Sequence, residues 1–171
     1  MIIRRISNYI KRYASLPVQI YRIQEALGRI EQRQTAQVPD YHMSEFRVFS
    51  QWGEDGIIQF LLQHVLIERP LFIEFGVENY LESNTRFLLI NNNWSGLIFD
   101  MSKENISEIK KHYYYWRHDL RAETATITAE NINDLIERNG FKKSIGLLSI
   151  DIDGNDYWVW KNLEILDPEI V

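Results

Sequence analysis

Three apolar runs that end at a carboxylate constrain this chain more than any other feature. They are Leu71-Phe72-Ile73-Glu74-Phe75-Gly76, Leu97-Ile98-Phe99-Asp100 and Leu147-Leu148-Ser149-Ile150-Asp151. Short apolar runs bounded by turn residues fit strands buried on both faces, and such strands need helices above and below a parallel sheet. Ligands bind such sheets beyond the carboxyl ends of the strands, so Glu74, Asp100 and Asp151 stand where a nucleotide-like cofactor would be held.

The segments between these runs complete the pattern. Helical apolar spacing covers 55–66, with Pro70 marking the turn into the first strand. Further helices are expected at 84–91, 103–111, 128–138 and 156–163, and strands at 71–75, 96–100, 113–117, 145–151 and from 169. Regular alternation with short connections predicts an α/β sheet of about five strands. The final Pro168-Glu169-Ile170-Val171 reads as the start of a strand cut short, with an apolar edge left to associate.

The first 43 residues read as a helical extension and linker, separate from a domain at 44–171. Leu16, Ile20, Ile23, Leu27 and Ile30 follow 4-3-4-3 spacing on a helix expected to begin near Pro17. Such a seam suits a short coiled coil, docking on the domain or self-association through 16–30. Residues 1–35 carry seven Lys/Arg against two acids, leaving twelve bases and twenty-two acids afterwards, so the two parts hold +5 and −10. An acidic domain argues against a nucleic-acid-binding face. Residues 2–14 carry enough bases to touch an anionic membrane, but a solvated basic helix is the simpler reading and no membrane contact is expected. The start lacks the apolar core of a signal peptide, no apolar run is long enough to span a bilayer, and the chain has no cysteine, which suits a cytoplasmic protein.

Gly76 bends the first strand into its turn, but Glu78 and Asn79 occupy the positions where a dinucleotide fingerprint carries further glycines, and there is no G-K-[ST] after them. An acid two residues before a single glycine suits a ligand with an ammonium group and no pyrophosphate; Glu74 could instead cap the next helix. Asp100 follows Glu74 at the separation that puts a carboxylate on ribose hydroxyls in a βαβ unit. Asp119, after Tyr113-Tyr114-Tyr115-Trp116, could accept from an adenine amine. Asp151, Asp153 and Asp156 crowd six residues, where a cation or a substrate proton would relieve their repulsion, and the glycine position rules out an EF-hand loop. Tyr157, Trp158 and Trp160 suit either a pocket wall or the core. His42, His64, His112 and His118 are scattered, and the sequons at Asn93 and Asn105 read as chance.

Together, SQWGEDG at 50–56, FIEFGVENY at 72–80, GLIFD at 96–100 and LLSIDIDGND at 147–156 resemble S-adenosylmethionine-dependent methyltransferases of the FkbM type. The resemblance covers about 44–171. It implies a Rossmann-like class I methyltransferase sheet of order 3-2-1-4-5-7-6, of which strands 6 and 7 would follow Val171. It further implies Glu74 and Gly76 at the methionine end of the cofactor, Asp100 on the ribose, Asp119 on the adenine and Gln51 closing over the site, with Asp151 beside them. The D-x-D segment also looks like that of metal-dependent sugar O-methyltransferases, which would make Asp151 a Mg²⁺ ligand and Asp153 the general base. The expected reaction is O-methylation of a saccharide or secondary-metabolite hydroxyl. A D-x-D glycosyltransferase, a phosphatase-like enzyme and a non-catalytic interaction module with a vestigial pocket are the alternatives.

Overall fold

A computed structural model describes residues 2–171, with side chains from residue 16 onward. Five strands form one parallel sheet: β1 (Leu71–Phe75), β2 (Ser95–Asp100), β3 (Leu120–Thr124), β4 (Lys143–Ile150) and β5 (Leu166–Ile170), in the order β3-β2-β1-β4-β5. The architecture is α/β, compatible with a Rossmann-like fold. Register runs Leu71 to Ser95 and Phe75 to Phe99 between β1 and β2, and Phe72 to Leu147 between β1 and β4. The runs that look continuous in sequence are therefore the three central strands.

Strand alternation sorts the core into two layers. On one face Phe72, Ile98 and Leu147 pack with Ile58 of α2 (Glu54–His64), Leu88 and Leu89 of α3 (Arg86–Ile90), and Ile106 and Ile109 of α4 (Lys103–Ile109). On the other, Ile73, Leu97, Phe99 and Leu148 meet Ile132, Leu135 and Ile136 of α6 (Ile132–Arg138) and Val159 of α7 (Asp156–Asn162). Helices on both faces bury the three central strands along most of their length.

The strand expected at 113–117 is instead a helix, α5 (Tyr113–Arg117), and β3 begins at Leu120. Aromatic residues favour strands when considered alone. Here Tyr114 is fully buried beneath Tyr80 and Arg86, and that packing sets the conformation. Tyr157, Trp158 and Trp160 also depart from a core role: all three are exposed on α7, and only Val159 of that helix is buried.

The helix expected to start near Pro17 runs unbroken as α1 from Ile2 to Thr35, with Pro17 inside it. It docks on the domain through Tyr21, Glu25, Gly28, Gln32 and Thr35, not through the 16–30 seam. A Cβ on Gly28 would collide with the side chains of Val48 and Phe87, so the helix seats on them this closely only because this residue has no side chain. Gln32 donates to Gln59 at 2.6 Å and accepts from Asn91 at 2.9 Å, while Tyr113 donates to Glu25 at 2.6 Å. Among the described residues no helix is long and apolar enough to cross a membrane.

Candidate functional site

Beyond the carboxyl ends of β1, β2, β3 and β4 lies a cleft of about 670 Å³. Its walls carry Gln51, Glu74, Gly76, Asp100, Asp151 and Asp153, six residues singled out from the sequence. Asp119 is not among them. It precedes β3, and its carbonyl accepts from the N–H of Gly96 at the start of β2, so it lies at the opposite edge of the sheet. The expectation for Asp119 is corrected accordingly: assigning the third strand one element too early put the acid after it instead of before it. Ala125, Thr126 and Ile127 occupy the cleft end of β3.

Glu74 reaches the cleft floor but is 4% exposed, and its own chain occupies it. The hydroxyls of Ser83 and Thr85 each donate to Oε2 at 2.6 Å, and the Asn84 N–H donates to Oε1 at 2.9 Å. The carboxyl thus anchors the segment entering α3, which carries Glu82, Ser83 and Asn84 along the cleft. Burial pushes its pKa above the ordinary glutamate value, against the pull of those hydroxyls.

Asp100 ties two turns together. Its Oδ2 accepts from the N–H of Glu78 at 2.8 Å, and Oδ1 accepts from the Ser102 N–H at 2.8 Å and the Asn105 amide at 3.1 Å. A carboxylate has about four acceptor positions, so one remains on Oδ2. Asn105, which in sequence reads as part of a chance sequon, lines the cleft. Its spacing of five from the strand-end acid, on the first turn of α4, is the signal that marks it.

The loop from Gly76 to Tyr80 is wound tightly against this edge, with φ of 75° at Gly76, 46° at Glu78 and 62° at Tyr80. Left-handed conformations at non-glycine residues concentrate where surrounding structure over-determines them. Here the determinant is Arg86, fully buried, whose Nη1 donates to the carbonyls of Tyr80 and Leu81 at 3.1 and 3.2 Å. Its guanidinium carbon lies 4.2 Å from the Phe49 ring centroid, 4.9 Å from that of Tyr114 and 5.3 Å from that of Tyr21. No carboxylate forms an ion pair with it among the described residues. Three aromatic faces and two carbonyls take that role.

Asp55 secures the segment that carries Gln51. One oxygen accepts from the N–H groups of Val48, Phe49 and Ser50 at 2.7, 2.7 and 2.8 Å. The turn between β4 and α7 is held the same way: Asp156 accepts from the N–H of Ile152 at 2.8 Å and of Gly154 at 3.2 Å, which keeps its pKa below the usual carboxylate value. Asp153 and Gly154 turn there with φ of 52° and 96°, a conformation that Asp and Gly tolerate better than most residues. The three aspartates therefore do not converge. Asp156 faces its own backbone, and among the described residues no group of three or more His, Asp or Glu side chains is placed to hold a metal ion. A Mg²⁺ at Asp151 would have to draw most of its ligands from water and substrate.

Charge summarises the site. Glu74, Glu78, Glu82, Asp100, Asp151 and Asp153 line the cleft, and among the described residues no Lys, Arg or His does. Phe99, Met101, Ala125, Ile127 and Ile152 supply its apolar surface. No family model, curated protein or solved structure matches the chain.

Proposed function

We propose that the cleft binds S-adenosylmethionine and that the chain is a class I methyltransferase acting on a hydroxyl oxygen, on a saccharide or another secondary metabolite. The observation that carries this is the one-signed charge of the lining: Glu78, Glu82, Asp100, Asp151 and Asp153 lie there beside the buried Glu74, with no Lys, Arg or His among the lining residues. A phosphate-bearing cofactor would meet several carboxylates and no base, whereas a sulfonium and an ammonium group are attracted to them. The sheet order β3-β2-β1-β4-β5 agrees with the first five strands of the seven-strand order that the methyltransferase resemblance implies, and the cleft lies at the expected strand ends.

The donor set fits such a ligand residue by residue. The free acceptor position of Asp100 suits one ribose hydroxyl, and a turn of the Asn105 amide would open a second. Met101, Ala125 and Ile127 suit the faces of a purine, in place of the contact expected from Asp119. When bound, the cofactor supplies a methyl group on a positively charged sulfur. Asp153, exposed on the turn after β4, would take the proton of the acceptor hydroxyl as the hydroxyl oxygen bonds the methyl carbon and the sulfonium sulfur leaves as a neutral thioether. Positioning of the two reactants supplies most of the acceleration. No step runs through a metal.

A glycosyltransferase or a phosphatase would bring phosphate against the same carboxylates, with no Lys, Arg or His among the lining residues to meet it. A non-catalytic module predicts no cofactor affinity. Calorimetric titration of the folded chain with S-adenosylmethionine separates these. Micromolar binding lost in Asp100→Ala supports the methyltransferase; a folded chain that takes up no heat of binding overturns it.

A further inference from the structure

The helix α1 turns its polar face inward and its apolar face outward. Tyr21, Glu25, Gly28, Gln32 and Thr35 meet the domain, while Leu16, Ile20, Ile23, Leu27 and Ile30 are 40–59% exposed. An amphipathic helix belonging only to its own domain would be rotated the other way. At about 100° per residue the seam lies roughly 140° around the helix from the docked face, clear of the rest of the molecule.

Because α1 is continuous through Pro17, the heptad does not start there. Towards the amino terminus the same 3-4 spacing takes in Tyr13, Tyr9, Ile6 and Ile2, and in the other direction it reaches Gln34. Nine of these ten seam positions are apolar over the length of one helix. A repeat of 3.5 residues sustained over more than four heptads is the period of helices that wind around one another. We infer that α1 pairs along this seam with α1 of a second copy of the chain.

Two observations select that occupant. At 1.5 Å per residue the 34-residue helix is about 51 Å long. Closing a seam of that length against its like covers on the order of the 800 Å² per partner that a stable interface needs. The residues flanking the exposed seam are Pro17, Gln24 and Glu31 on one side and Gln19, Ala26 and Arg33 on the other, so a parallel pair sets Gln19 against Gln24 and Ala26 against Glu31 with no like charges opposed. A bilayer is the rival occupant, since residues 2–35 carry seven Lys/Arg against two Glu, but the stripe is the narrow two-in-seven kind rather than a broad apolar face.

The test is the mass of the full chain by light scattering at tens of micromolar, with Ile20→Glu/Leu27→Glu beside it. Both substituted residues are exposed and away from the docked face, so circular dichroism should show an unchanged fold. A mass of twice 20.4 kDa that falls to 20.4 kDa in the double variant is expected. A monomeric parent chain, or a dimer that survives the double substitution, overturns the pairing. So does a monomer that sediments with vesicles containing phosphatidylserine, which would assign the stripe to a membrane surface.

Discussion

A Cβ added at Gly76 would lie 1.8 Å from the carbonyl oxygen of Asp151. The turns leaving β1 and β4 therefore cross in contact, and the cleft depends on that crossing: the Gly76 N–H donates to Phe99 at 3.0 Å and the Asp151 N–H to Phe75 at 3.4 Å. Gly76→Ala adds a backbone collision to a left-handed φ of 75°. It should lower stability by more than about 2 kcal/mol and weaken cofactor binding in whatever remains folded. An unchanged urea midpoint would show that the turns can part freely.

Asp100 and Asn105 should separate ligand contact from support. Loss of a charge-assisted hydrogen bond is worth roughly 1.5–3 kcal/mol, so Asp100→Ala should weaken S-adenosylmethionine about 10- to 100-fold. Asn105→Ala leaves the carboxylate with a freed acceptor position and should change affinity less than about threefold. Equal losses in the two variants, measured by calorimetry, would contradict this division.

Asp119→Asn should leave affinity within about twofold of the parent chain. The side chain belongs to the edge of the sheet away from the cleft. A loss comparable to that of Asp100→Ala would return Asp119 to the site.

Glu74 gives the fold a defined pH response. With its folded pKa raised above 4.5 by burial, the native state keeps the proton where the unfolded chain has released it. Its contribution is full below about 4.5 and is lost as pH rises through the folded pKa. In Glu74→Gln that dependence disappears, so the stability of the parent chain relative to the variant should fall as pH rises above about 4.5 in urea titrations. A constant difference would mean that the carboxyl titrates normally.

Arg86 is a test of the aromatic enclosure. Arg86→Ala removes the largest fully buried side chain and orphans the carbonyls of Tyr80 and Leu81, with an expected cost of about 3–5 kcal/mol. Arg86→Lys keeps the charge but cannot span both carbonyls and the rings, and should cost about 1–3 kcal/mol. Thermal denaturation followed by near-ultraviolet circular dichroism checks both; a variant as stable as the parent chain would make the enclosure incidental.

Where burial on both faces dictates composition, the sequence is easily read. Strand Leu71–Phe75 shows itself because Phe72 and Ile73 point to opposite layers and both are fully buried. The acids at strand ends follow from the same logic, which is why Asp100 and Asp151 can be assigned to one edge from sequence alone. Partners distant in sequence are hidden. Tyr114 reads as a strand residue until it is seen against Arg86, and that single misreading carries Asp119 to the wrong edge. Pro17 reads as a helix start because an interior proline removes a backbone hydrogen bond, yet α1 passes through it, and the full heptad stays out of sight. Glu74 satisfies two chemical descriptions, ligand and cap, and only the hydroxyls of Ser83 and Thr85 distinguish them.

The close approach at Gly28 bears on where this protein can be divided. Composition changes near residue 44, and a shortened chain beginning there would retain every strand of the sheet. It would also uncover Val48 and Phe87, strip Tyr21 from the guanidinium of Arg86 and leave Gln59 without the amide of Gln32. The wall of the cleft formed by residues 76–82 hangs on that same arginine. The amino-terminal helix is thus a structural cofactor of the sheet domain, supplied by the chain itself.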